Sequence, residues 1–151
     1  MLKRKKAPIA IEDIIRKKLK GDAQMNALSF VAFLRANEVQ IRVNNDGGGC
    51  AFGEIGCMAI SKKPAHIAPW TIWFGSCDFD ESVPVDDTLK ETAWANAGIC
   101  GHCHAGWEDC GGGEGTIFGK KFERLCHSPM MFVNPDARTV EHMKKLMLML
   151  K

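Results

Sequence analysis

Cys100, Cys103, Cys110 and Cys126 are separated by two, six and fifteen residues, a spacing able to gather four thiolates around one soft metal ion. Zn²⁺ takes four tetrahedral thiolate or imidazole ligands, and a two-residue gap lets one tight turn present two sulfurs to it. The stretch 98–115 holds seven glycines in eighteen residues. Such a segment buries too little apolar area to define itself, and glycine is entropically costly to order. A structural zinc on these four cysteines would supply the missing order, since such sites bind with ~10–16 kcal/mol of apparent free energy in small peptides. His102, His104 and His127 are substitute ligands, so a site of three cysteines and one histidine stays open.

The same residues suggest other chemistries. Cys100-Gly-His-Cys103-His104 satisfies C-x-x-C-H, the c-type haem attachment pattern, but that attachment takes place on exported chains. Cys-Gly-His-Cys also occurs in disulfide isomerase sites, where the first thiol sits at a helix N-terminus that lowers its pKa. Here the pair precedes a glycine tract, a poor helix start, so a thiol–disulfide oxidoreductase using Cys100 and Cys103 is the competing enzyme reading. Zinc deaminases need H-x-E and a proline before C-x-x-C, and neither occurs. Gly47–Gly49 and Gly111–Gly113 lack the lysine and following hydroxyl of a phosphate loop. No catalytic residue is assigned.

Other residues read as architecture. Cys50, Cys57 and Cys77 stand apart from the cluster and are expected to pack as small hydrophobes. Asp78, Asp80, Glu81, Asp86 and Asp87 suit a solvated loop and a helix cap better than a cation site. Trp70, Trp73, Trp94 and Trp107 are expected mainly in the core, with a small apolar ligand over the Trp-bearing sheet as the candidate for binding.

The elements that must carry the cluster follow from periodicity. Ile11, Ile14, Ile15 and Leu19 predict a helix over 9–19, begun near Pro8 and ended by Gly21. A second helix is predicted from an Asp22 cap, with Met25, Leu28, Val31 and Leu34 on its face. Val39, Ile41 and Val43 alternate as a strand, and the following Asn-Asn-Asp and three glycines predict a turn. Strands are predicted over 55–61 and 70–76, and a third helix over 85–96 capped at Asp86 or Asp87. Asn134-Pro135-Asp136 announces a fourth helix, with Asn134 as cap and a stripe of Val140, Met143, Met147 and Leu150. Between Ala97 and Phe132 periodicity disappears. The class is α+β: a small antiparallel sheet flanked by about four helices, with the cysteine-rich knuckle before the C-terminal one.

The 151 residues are 46% apolar and 25% charged, suiting one domain over 9–151 that includes a zinc-knuckle-like segment 98–127. Residues 1–20 carry a local charge of +6 against −4 for the rest, so 1–8 read as a basic arm. A nucleic-acid-binding module, resting on the knuckle and the basic arm, is the second alternative, disfavoured because basic–aromatic interleaving is missing. No apolar run reaches the ~18–20 residues of a membrane span, and the basic start lacks the apolar stretch of a secretory signal. Cytoplasm is the expected compartment.

Three blocks carry a resemblance: Asn26–Asn37, Trp70-Thr-Ile-Trp73 with Ala93-Trp-Ala-Asn96, and Thr116-Ile-Phe-Gly-Lys-Lys-Phe122 followed by Cys126 and Phe132-Val-Asn-Pro-Asp136. They resemble a family of small uncharacterised bacterial proteins whose members share C-x-x-C, a further Cys, and a Cys after the G-K-x-F block. The resemblance implies Cys100, Cys103, Cys110 and Cys126 as the common set, leaves His102 and His104 outside it, and implies no activity. Gly113-Glu-Gly115 departs from the proline-glycine-lysine that usually precedes Thr-Ile-Phe-Gly. The expectation is a zinc-binding, non-catalytic binding or regulatory module.

Overall fold

The computed structural model describes residues 7–61, 69–100 and 112–151. The chain runs α1 (Ile11–Lys18), α2 (Gly21–Ala36), β1 (Ile41–Val43), β2 (Gly49–Phe52), β3 (Gly56–Ile60), β4 (Trp70–Phe74), α3 (Asp87–Ala95), β5 (Ala97–Ile99), β6 (Gly113–Ile117), β7 (Lys120–Val133) and α4 (Ala137–Met149). Among the described residues, four helices and a seven-stranded antiparallel sheet make the α+β class. Strand order is β1-β2-β3-β4-β7-β5, with β6 also paired to β7.

Alternation puts Cys50, Phe52, Met58, Ile60, Trp70, Ile72, Phe74, Met130 and Phe132 on one face of the sheet, all buried. That face joins Ile11, Ile14, Phe30, Leu34, Met143 and Leu146 from the helices in one core. Phe30 meets Phe52 edge-on at 5.8 Å, and Phe74 meets Phe132 at 5.3 Å. Arg35 grips both carboxylate oxygens of Glu12, tying α2 to α1.

Helix positions follow the predicted ones, with corrections at the ends. Lys20, not Asp22, precedes the first turn of α2, and Asp22 lies within that turn against the dipole. Gly21 opens α2 at φ +60° instead of closing α1. Met25 is 67% exposed, and the buried face is Ala27, Phe30, Val31 and Leu34. Each three-residue step falls about 60° short of a full turn, so strict threes walk around a helix. Asp86 caps α3 by accepting from the Leu89 amide at 2.8 Å.

At the last helix Asp136, not Asn134, is the cap: its carboxylate accepts from the Thr139 amide at 2.8 Å, while Asn134 turns the chain at φ +43°. That bond holds the Asp136 carboxyl below its usual range. Asp136→Ala is expected to cost about 1 kcal/mol in urea denaturation at neutral pH, the typical worth of a side-chain cap. The loss should shrink as pH falls below the ordinary carboxylate range, and vanish only once the lowered folded-state carboxyl is protonated as well.

The larger correction concerns 97–132. Where no periodicity was visible, β5, β6 and the fourteen-residue β7 complete the sheet. The predicted turn over the three glycines also ends early, because Gly49 already pairs with Ala59 as the first residue of β2.

Candidate metal centre

The cysteine cluster is organised by β7. Leu125 pairs with Ile99 of β5 and with Gly113 of β6, so these two strands lie on opposite edges of β7. The stretch of sequence between them contains Cys103 and Cys110. Its two ends meet. Cys100, only 3% exposed, donates its amide to the Arg124 carbonyl at 2.7 Å. Gly112 sits at φ +73° over the Arg124–Leu125 peptide: a Cβ there would lie 2.8 Å from the Leu125 carbonyl oxygen and 2.9 Å from the Cys100 Cβ. Only glycine fits at such an approach.

Cys126 follows Leu125 directly and is half-buried. Of the predicted ligands, Cys100 follows the last residue of β5 and is hydrogen-bonded to Arg124, two residues before Cys126 on β7. Cys103 and Cys110 lie outside the described residues, as do His102, His104, Trp107 and Gly111. Among the described residues no group of three His, Cys, Asp or Glu is arranged to hold an ion. No disulfide joins two of the described cysteines.

Cys126 opens onto a cleft that the sequence did not announce. Met130 pairs with Phe74 of β4 and with Ala97 of β5, so β4 lies on the same edge of β7 as β6. Those two strands cover 130–133 and 120–125, and between them a cleft of about 630 Å³ opens, lined by Cys77, Asp78, Glu114, Cys126 and His127 among others. Burial, with the Asp78 carboxylate beside it, pushes the Cys77 thiol up, so Cys77 is not an activated nucleophile. At its rim Phe79 stacks on Phe118 with centroids 5.1 Å apart. Phe118 takes φ +45° and Gly119 φ +80° in the two-residue turn joining β6 to β7. Gly119 was the available signal for that hairpin.

The remaining candidates separate. Cys50 is fully buried, as expected, whereas Cys57 is exposed on the outward sheet face, a correction to its reading as core. Alternation explains it, because Cys57 is offset by one from buried Met58. The described tryptophans, Trp70, Trp73 and Trp94, lie apart. Trp70 is fully buried on the helix-facing side and Trp73 is half-buried on the other. Trp94 donates its indole N–H to the Ile117 carbonyl at 2.7 Å, with the Lys120 ammonium 5.4 Å above its ring. Asp80 accepts from Ser82, and Asp86 caps a helix. No described helix is long and apolar enough to cross a membrane. Comparison with protein-family models, with curated proteins and with solved structures finds no match to this chain.

Proposed function

We propose that this protein is a zinc-binding module in which Cys100, Cys103, Cys110 and Cys126 hold one structural ion that ties the segment between β5 and β6 to β7. The observation that carries the reading is the meeting of both ends of that segment at the Arg124–Leu125 peptide, with Cys100 just past the end of β5 and Cys126 next after Leu125 on β7. One thiol from the end of β5, one from β7 and two from the connecting segment would make a closed, fully thiolate set, the arrangement of a structural site with no open catalytic position. The near-complete burial of Cys100 favours this over the thiol–disulfide oxidoreductase, whose attacking sulfur must be reachable. As a non-catalytic binding or regulatory module it has a candidate surface for a small apolar ligand where Trp73 stands between Cys57 and Met131 in register on the outward face.

Metal analysis tests the reading. Protein purified under reducing conditions without added zinc is expected to hold about one Zn²⁺ per chain, and replacement of Cys100 and Cys126 by serine together should abolish it. Native alkylation should be slow at Cys100 and accelerate after chelation. Zinc retained in full by the double variant, or rapid alkylation of Cys100 with catalytic reduction of a model disulfide, would overturn the site.

A further inference from the structure

The far end of the molecule offers a second surface, independent of the cysteine cluster. β1 is an edge strand, and its pairing pattern fixes which main-chain groups face outward. Gly53 donates to the Gln40 carbonyl and Asn44 donates to the Gly49 carbonyl, so Gln40, Arg42 and Asn44 direct their peptide groups toward β2. Ile41 and Val43, at the alternate positions, point their N–H and C=O groups away from the sheet.

Most edges end in solvent or are blunted by charge. This one opens into a groove of about 630 Å³ between β1 and the start of α1. Ile9, Ile11 and Ile14 form its apolar wall, and Ile9 is 66% exposed. The ionisable side chains lining it are Arg35 and Arg42, with no carboxylate among the described lining residues. Arg35 is held by Glu12, which leaves exposed Arg42 to set the sign of the rim. Sheet strands need about 4.8 Å of separation, and side chains of an added strand alternate between its two faces.

We propose that this groove receives an extended segment of a partner protein as an added strand beside β1, with apolar side chains at alternate positions against the isoleucine wall and acidic residues flanking them. Main-chain bonds to Ile41 and Val43 would give affinity, and the alternate apolar side chains specificity. Charge argues for a foreign acidic segment. The chain's own Lys3, Arg4, Lys5 and Lys6 share the sign of Arg42, and a second copy paired antiparallel about the centre of β1 would set Arg42 against Arg42.

Fluorescence anisotropy with the labelled peptide Glu-Val-Thr-Val-Thr-Val-Glu tests this on the full chain. Saturable binding is expected, with chemical-shift changes centred on the Ile41 and Val43 amides. Val43→Pro removes an outward N–H that serves no internal bond, and Ile9→Asp puts charge on the exposed wall. Each is expected to weaken binding roughly tenfold or more, as is exchanging the peptide's glutamates for lysines. Should Val43→Pro fail to fold, Ile9→Asp and the amide shifts still decide. Absence of saturable binding, or binding indifferent to both variants, would overturn the proposal. So would a concentration-dependent dimer broken by Val43→Pro, which would assign the edge to a second copy.

Discussion

Alanine at Gly49 is expected to unfold the protein or to remove ~4 kcal/mol or more of its stability, the exceptional class for a single substitution. Gly49 adopts φ +154° where β2 meets β3, and a Cβ built there lies 1.9 Å from the Met58 carbonyl oxygen. The obstacle is backbone in the middle of a ladder that also seats Cys50 and Phe52 in the core, so relief means separating two strands. Gly56 is the same case one hairpin end away, with its Cβ 1.9 Å from the Trp73 carbonyl oxygen. Gly53 is the control. It has φ +56° with nothing within 4 Å of a Cβ, so Gly53→Ala should cost only the ~1–2 kcal/mol of left-handed backbone. Urea denaturation of the three variants checks the ranking. Equal losses at Gly49 and Gly53 would show that the ladder yields easily.

Stability is expected to fall steeply above pH 9, with Cys50 as the main cause. Burial, reinforced by neighbouring Cys57, pushes the Cys50 thiol up to about 12 from an ordinary 9.0. The sign follows from proton counting. Below pH 9 the thiol is protonated in both states and contributes no pH dependence. Above it the unfolded chain releases the proton while the folded chain retains it, so the unfolded state binds fewer protons and gains. At 1.36 kcal/mol per unit, the loss approaches ~4 kcal/mol by pH 12, a large share of a marginal total. The chain contains no tyrosine, which removes one other group that titrates in this range. Chemical denaturation between pH 8 and 11 checks the slope. Cys50→Ala should flatten it while costing a little packing at pH 7, and an unchanged slope in that variant would move the cause elsewhere.

Helices and hairpins were legible to different degrees for physical reasons. A helix is written locally: Ile11, Ile14 and Ile15 share a face, Asp86 and Asp136 can cap through their own carboxylates, and Pro135 suits a helix start. Ends were less legible, because Asn134 and Asp136 are both good caps and only the backbone path chooses. Strand β7 was invisible because its residues answer to different neighbours along its length. Lys121, Glu123 and Arg124 are solvated, Leu125 is held between β5 and β6, and Met130 and Phe132 enter the core against β4. No single period describes that.

The sequence by itself determined the α+β class, the positions of the four described helices, and strands β1, β3 and β4, and it singled out the four cysteines as a proposed ligand set. Those depend on side-chain chemistry within a few residues, where periodicity, capping and thiol spacing act. Tertiary structure alone decided that the glycine-rich stretch begins and ends at one point on β7, that Cys126 fronts a cleft, and that Ile41 and Val43 present an open edge beneath Ile9. Each of these is a long-range pairing, and a strand's partner is chosen by burying apolar faces across the whole sheet, a choice its own residues do not encode.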